Sequence, residues 1–178
     1  MSEGHHMQLK VTARKSEPRG IISVRDTQFD CALGPAGLVR RKKEGDGGTP
    51  LATMPLLQVY FRPDHVERPQ TRLRTIPLLP NMGWCDDPSS PAYNRLVHLP
   101  FDGSHEKMWR DDHAYDICVV LGWNYDKPRP GEGSAIFFHL AKENYSPTEG
   151  CIAVSLDAML GILKHCGTGS EIHTLIVH

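Results

Sequence analysis

The hydrophobic positions of this chain come in short bursts bounded by Pro, Gly, Asp or Asn, a spacing that predicts strands in place of long helices. Strand-like runs fall at Gln8 to Thr12, Gly20 to Val24, Thr27 to Ala32, Leu56 to Phe61, Arg72 to Pro77, Ile117 to Leu121, Ala135 to His139, Cys151 to Val154 and Glu171 to Val177. The run Ile117-Cys-Val-Val-Leu121 is apolar throughout and Ala135-Ile-Phe-Phe-His139 nearly so, as expected of strands covered on both faces in a sandwich. The period changes once. Leu156, Met159, Leu160 and Leu163 fall at i, i+3, i+4 and i+7, which predicts a helix with Ser155 as N-cap, Asp157 in the first turn and Gly167 as C-cap. From residue 62 to 116 no period holds. Pro63, Pro69, Pro77, Pro80, Pro88, Pro91 and Pro100 interleave there with Trp84, Tyr93, Trp109 and Tyr115, and we read the segment as an insert lining a substrate groove. The fold class is mainly β, a sandwich with one or two short helices.

Composition narrows the class further. The 178 residues are 39% hydrophobic and 23% charged with a formal net charge of −1, which suits one soluble domain and makes no case for nucleic-acid binding. We expect that domain to span 8–178, with 1–7, including Gly4-His5-His6-Met7, as a disordered N-terminus or tag remnant. Nowhere do about 18 apolar residues run together, so no membrane span is expected. As written the chain reads as cytoplasmic, and as periplasmic if a leader has been removed. The basic run Arg40 to Lys43, beside Glu44 and Asp46, reads as a solvated loop. Five cysteines without a C-x-x-C pair suit reduced thiols. Histidines are plentiful, yet His98, His105 and His113 follow no H-E-x-x-H or similar spacing, so no metal is expected. The glycines of Gly45 to Gly48 lead to Thr49-Pro50 without a P-loop lysine, so no nucleotide cofactor is expected either.

Chemistry concentrates in one stretch, IFFHLAKENYSPTEGCIAVS, where His139 closes an apolar run and Cys151 follows twelve residues later in a Thr-Glu-Gly-Cys turn. A free thiol with a pKa near ~8.5 is mostly protonated at neutral pH, so a nucleophilic cysteine needs a base within reach. His139 supplies one. Gly150 lets backbone approach a bound carbonyl, and N–H groups of Gly150 and Cys151 can hold an oxyanion. Cys151 precedes the predicted helix by about a turn, beyond strong influence of its dipole, which puts more weight on His139. Cys31, Cys85, Cys118 and Cys166 read as structural.

These residues carry a resemblance. The family motif of L,D-transpeptidase catalytic domains, also called YkuD domains, is a histidine, a spacer, then Ser or Thr, His, Gly, Cys, a hydrophobe, and Asn or Arg. His139, Thr148, Gly150, Cys151 and Ile152 match it. Glu149 stands in place of the second histidine, Ala153 in place of the final polar residue, and the spacer is short. Gly45-Asp-Gly-Gly-Thr-Pro50 resembles the family's earlier Gly-to-Thr-Pro turn. A divergent branch of short bacterial proteins, with Thr-x-Gly-Cys-(Ile/Val)-Ala, is more similar still, through Trp109-Arg110-Asp111, Tyr115-Asp116 and Gly133 to Phe137.

The resemblance implies a YkuD-like β-sandwich and a cysteine enzyme acting on peptidoglycan stem peptides or muropeptides. Cys151 is expected to attack the carbonyl of a diaminopimelate residue joined to a terminal D-alanine. His139 passes the thiol proton to the leaving amine; in the family it is oriented by a neighbouring backbone carbonyl or side chain, and Leu140 after it can offer only its carbonyl. An amine acceptor makes the enzyme an L,D-transpeptidase and water an L,D-carboxypeptidase; the lack of a visible export signal favours muropeptide trimming inside the cell. Thr148 is expected in the turn or at the substrate, Arg110 and Asp116 at the substrate's charged groups or in a surface pair, and Trp84 and Tyr93 along the groove with Asp86, Asp87 and Asn94. Two other classes stay open. Glu149 and Ala153 fit a binding or regulatory domain of the same fold with altered catalysis, and an unrelated cysteine hydrolase would need an Asn or Asp to orient its histidine.

Overall fold

The computed structural model describes residues 6–178; the part of the expected N-terminal segment at 1–5 lies outside the described residues. In chain order the elements are β1 (Gln8–Arg14), β2 (Arg19–Val24), β3 (Thr27–Ala32), β4 (Leu38–Val39), β5 (Thr49–Pro50), β6 (Thr53–Phe61), β7 (Thr75–Pro77), β8 (Met82–Cys85), β9 (Leu96–His98), β10 (His105–Lys107), β11 (Ile117–Leu121), β12 (Phe137–Leu140), β13 (Ile152–Val154), α1 (Leu156–Leu163) and β14 (Glu171–Val177). The fold is mainly β with one short helix, as the pattern predicts. Its main sheet runs β11-β12-β13-β3-β2-β1-β14-β6-β7, and β6 also pairs back onto β11, so the sheet closes on itself with β7 as an added strand beside β6.

Alternation along the strands decides what fills this ring. Leu9, Val11 and Ala13 from β1, Ile117, Val119 and Leu121 from β11, Phe138 and Leu140 from β12, and Ile152 and Val154 from β13 form one buried cluster. Ala158, Met159, Ile162 and Leu163 of α1 join it. The intervening residues face the other way. Cys118 and Val120, Phe137, and Cys151 ahead of β13 belong to a second cluster with Tyr60, Leu78, Trp84, Met108 and Tyr115. The 62–116 segment is therefore the layer that covers the outer face of β6, β11 and β12. This is why β11 is buried at every residue. That segment holds more order than its sequence shows: β10, β8 and β9 form a separate three-stranded sheet.

Ser155 caps α1 as expected, its Oγ accepting from the Ala158 N–H at 3.2 Å. Gly167 is not the C-cap. The helix stops at Leu163 with Lys164 as cap, because the N–H groups of His165 and Cys166 fold back onto the Ile162 and Leu163 carbonyls, while Gly167 donates to Ser170 Oγ. The Arg72–Pro77 strand contracts to Thr75–Pro77. In the basic run Lys42 is buried, pairing with Asp46 at 2.6 Å, whereas Arg40, Arg41 and Lys43 are exposed. Met7 is tied in, accepting from the Glu171 N–H at 3.0 Å. Among the described residues no helix is long and apolar enough to cross a membrane.

Candidate active site

Strands β12 and β13 run parallel, with His139 opposite Ala153. Continuing that register back places Cys151 beside Phe137, and the Phe137 N–H reaches Cys151 Sγ at 3.4 Å. Histidine and cysteine thus stand on the same outer face, two residues apart along adjacent strands. Two threonines hold the turn before the cysteine. Thr148 Oγ1 donates to the Cys151 carbonyl at 2.7 Å and accepts from the Gly150 N–H at 3.2 Å. Thr49 Oγ1 accepts from the Gly34 N–H at 3.0 Å and lies 3.5 Å from the same Cys151 carbonyl. The Gly45–Pro50 turn therefore braces the Cys151 loop from behind. Gly150 is needed for conformation: its φ is +125°, and a Cβ there would meet the Gly48 carbonyl oxygen at 2.7 Å. Its amide, expected at an oxyanion, is committed to Thr148.

The electrostatics of the pair follow from burial. Imidazole Nδ1 of His139 donates to the Leu140 carbonyl at 2.9 Å, which leaves Nε2 as the basic nitrogen. Burial drives His139 down to about 4 and pushes the Cys151 thiol up to about 12, the Glu106 charge adding to the latter. At neutral pH both groups are uncharged. The thiol donates to the Ala135 carbonyl at 3.2 Å instead of to His139.

Two clefts meet at the cysteine. One, about 320 Å³, is lined by Arg110, Tyr115, His139, Thr148, Glu149 and Cys151 among others. The other, about 540 Å³, brings Glu44, Asp86, Glu106, Ser134 and Glu149 to the same sulfur. Glu106 belongs to both. Its Oε2 and Asp86 Oδ1 are shut from solvent without a hydrogen-bond partner among the described residues, and burial pushes the Glu106 carboxyl up to about 7.

The remaining expected site residues divide. Thr148 lines both clefts. Arg110 lines the first, but its Nε and Nη2 are taken by Asp112 at 2.9 and 2.5 Å, and the guanidinium stacks on Tyr115. Trp84 does not line a groove: it is buried, donates to Asn94 Oδ1 at 2.9 Å and packs edge-on against Phe137, supporting the strand behind the site. Tyr93 is also buried, its hydroxyl donating to Glu44 at 2.5 Å, where Ser134 Oγ donates too. Asp116 is held by His65 and His113 and is absent from both clefts. Glu106 and Asp112 are wall residues that the sequence did not single out. Glu106 lies on a three-residue strand, and Asp112 sits in a run of acidic letters that reads as surface.

One family model and several solved structures are similar to this chain. The family model described as L,D-transpeptidase catalytic domain (YkuD) matches residues 11–174. Among solved structures, the helical cell shape determining protein Pgp2 from Campylobacter jejuni is similar over 96% of this chain and 48% of its own, at 15% identity and TM-score 0.49. L,D-transpeptidase 1 from Mycobacterium tuberculosis aligns over 94% of this chain and 58% of its own, at 15% identity and TM-score 0.40. An L,D-transpeptidase from Mycobacterium smegmatis aligns over 95% of this chain and 59% of its own, at 14% identity and TM-score 0.41. The chain thus spans between 48% and 59% of the length of these proteins. No curated protein matches it. By the extent of the family match, the chain belongs to the L,D-transpeptidase catalytic domain (YkuD) family.

Proposed function

We propose that the chain is a cysteine acyltransferase that cleaves the L,D-peptide bond of peptidoglycan stem tetrapeptides and passes the acyl group to an amine, or to water when none is bound. The carrying observation is the fixed tautomer of His139, with Nδ1 held by the Leu140 carbonyl on the strand beside Cys151. With Nε2 free, the neutral imidazole takes the thiol proton as Sγ attacks the carbonyl carbon and gives it to the departing D-alanine nitrogen. The C–N bond breaks and a thioester remains on Cys151. In the second half an acceptor nitrogen attacks that carbonyl, the C–S bond breaks, and the proton returns through His139 to sulfur. The position of Cys151 between two clefts supports a donor on one side and an acceptor on the other. The carboxylates of the larger cleft favour an acceptor that arrives as an ammonium ion.

The test is incubation of the protein with a purified disaccharide-tetrapeptide, with and without a D-amino acid or second stem peptide, followed by mass spectrometry. Wild type yields tripeptide alone and exchanged or crosslinked product with acceptor, and Cys151→Ala yields neither. If wild type forms no product and no adduct at Cys151 under any of these conditions, the reading is wrong, and the fold serves binding alone.

A further inference from the structure

We propose that His65, His113 and Asp116 form a binding site for a first-row divalent cation of the zinc type, behind the wall that carries Arg110 and Tyr115. One ligand-capable atom from each of the three lies within 4.8 Å of the others. Asp116 is the hub, its Oδ1 2.7 Å from His65 Nδ1 and its Oδ2 2.8 Å from His113 Nδ1. The two imidazole rings lie with centroids 4.8 Å apart and planes tilted by 44°. Tetrahedral zinc, with bonds of about 2.0–2.2 Å, separates its ligand atoms by roughly 3.4 Å. The cluster reaches that spacing by opening its two hydrogen bonds slightly and drawing the rings together. His113 is free to move, since its side chain is 69% exposed, and it leaves a fourth position to solvent.

The surroundings show where the protons go. An arginine can only donate, so Arg62 Nη2, 3.2 Å from His65 Nε2, makes that nitrogen an acceptor and leaves the His65 proton on Nδ1, facing Asp116. A cation entering between the Nδ1 atoms displaces both protons from those positions, and each ring takes one up at Nε2. For His113 this nitrogen is in solvent. For His65 it lies 3.5 Å from Asp64 Oδ2, the carboxylate toward which the new N–H would have to turn from Arg62 Nη2 to support a metal-bound imidazole. Arg62 is the opposing charge, but Asp64 already holds it through two hydrogen bonds of 2.9 and 2.7 Å. Two imidazoles and a carboxylate suit Zn(II), Co(II), Ni(II) and Cu(II) over the harder Mg(II) and Ca(II).

The place of the cluster gives such a cation something to hold. Arg62 N–H donates to the Asp116 carbonyl at 2.9 Å, Arg62 Nη1 donates to the Arg110 carbonyl at 2.5 Å, and the Leu140 N–H donates to the Ala114 carbonyl at 3.0 Å. A cation here ties the turn after β6 to the 110–116 segment that walls His139. Sequence spacing hides the site, because His65 and Asp116 are 51 residues apart. His98 and His105, which the sequence grouped with His113, lie instead on β9 and β10.

The test is titration of the full chain, carrying Cys151→Ala to remove a competing thiol, with Zn(II) by calorimetry and Co(II) by visible absorption. We expect one equivalent bound, a Zn(II)-dependent rise in Tm, and cobalt d–d bands. His113→Ala and His65→Ala should each weaken binding about ten-fold or more and abolish the Tm shift. Replacing His5 and His6 with Ala should leave it intact. Because His113 is exposed, its variant should keep the metal-free Tm, which separates lost binding from lost folding. Binding that survives His113→Ala, that disappears with His5 and His6, or that is absent at millimolar metal overturns the proposal.

Discussion

The ring of Tyr115 meets His139 edge-on, with centroids 5.2 Å apart and planes inclined by 71°. Tyr115 is buried, lines the first cleft and also packs edge-on against Phe137, so one aromatic group shields the His139 imidazole and braces the strand that carries it. Tyr115→Ala should let water reach the imidazole and raise the His139 pKa toward the ordinary value, while costing ~3–5 kcal/mol of stability. Tyr115→Phe should preserve the shift. NMR titration of the His139 ring across the two variants checks this, and an unchanged pKa in Tyr115→Ala would refute the shielding role.

The same depressed pKa makes folding sensitive to acid. Since His139 falls from 6.5 to about 4 on folding, the unfolded chain binds its proton first. Its contribution is intact above pH 6.5 and is lost as pH falls toward 4, by roughly 3 kcal/mol at most. Urea denaturation of wild type and His139→Gln over that range should show a smaller acid dependence in the variant. Equal slopes would mean that other groups control acid stability.

Catalysis should depend on His139 and tolerate loss of charge at Glu149. Removing a general base costs ~10²–10⁴ in rate, so His139→Ala should nearly abolish acyl-enzyme formation. Glu149 is exposed at the cleft edge, and Glu149→Gln should retain much of the activity. Single-turnover formation of the Cys151 adduct, followed by mass spectrometry, measures both. Equal losses would move the base assignment from His139 to Glu149.

The cysteine should be a thiol at rest. With its pKa pushed up to about 12, Cys151 should show no thiolate absorbance near neutrality and should react with iodoacetamide more slowly than free cysteine. Difference absorbance against Cys151→Ala from pH 6 upward is the measurement. A thiolate band at pH 7 would mean that a preformed ion pair, and not proton transfer during attack, activates sulfur.

Gly150 should resist substitution. Gly150→Ala combines a φ of +125° with a Cβ 2.7 Å from the Gly48 oxygen. Strain in such regions costs ~1–3 kcal/mol before the clash is counted, so Tm should drop by several degrees and acylation should be lost together. A variant of wild-type stability that still acylates would show that the loop can adopt another path.

Much of this was legible in the letters, for physical reasons. Thr27–Ala32, Ile117–Leu121 and Glu171–Val177 were readable to the residue because each is a short β-rich run with breakers beside it. Ser155 announced its helix through capping chemistry. The strands β8, β9 and β10 are three or four residues long, too short for alternation to register. Closure of the sheet is a pairing of β6 with β11 across the fold, which local pattern cannot convey. Motif spacing pointed to Cys151 and His139, which the strands bring to one face, but the wall residues Glu106 and Asp112 reach that cleft through the path of the outer layer. Trp84 and Tyr93 look alike as aromatics between prolines whether they face a ligand or a core, and here they face the core.

The pairing of β1 with β14 places the first and last strands side by side and parallel, from Gln8 against Glu171 to Arg14 against Val177. β14 also bonds to β6, so it is the stave that completes the ring between two strands made much earlier. During synthesis the ring therefore stays open until residues 171–177 have emerged from the ribosome, and the pocket around Cys151 cannot mature on a partial chain. Long-range closure of this kind slows folding relative to locally paired folds. A chain cut before β14 would lack the strand that joins β1 to β6, and with the ring open the turn that carries Cys151 should lose its support.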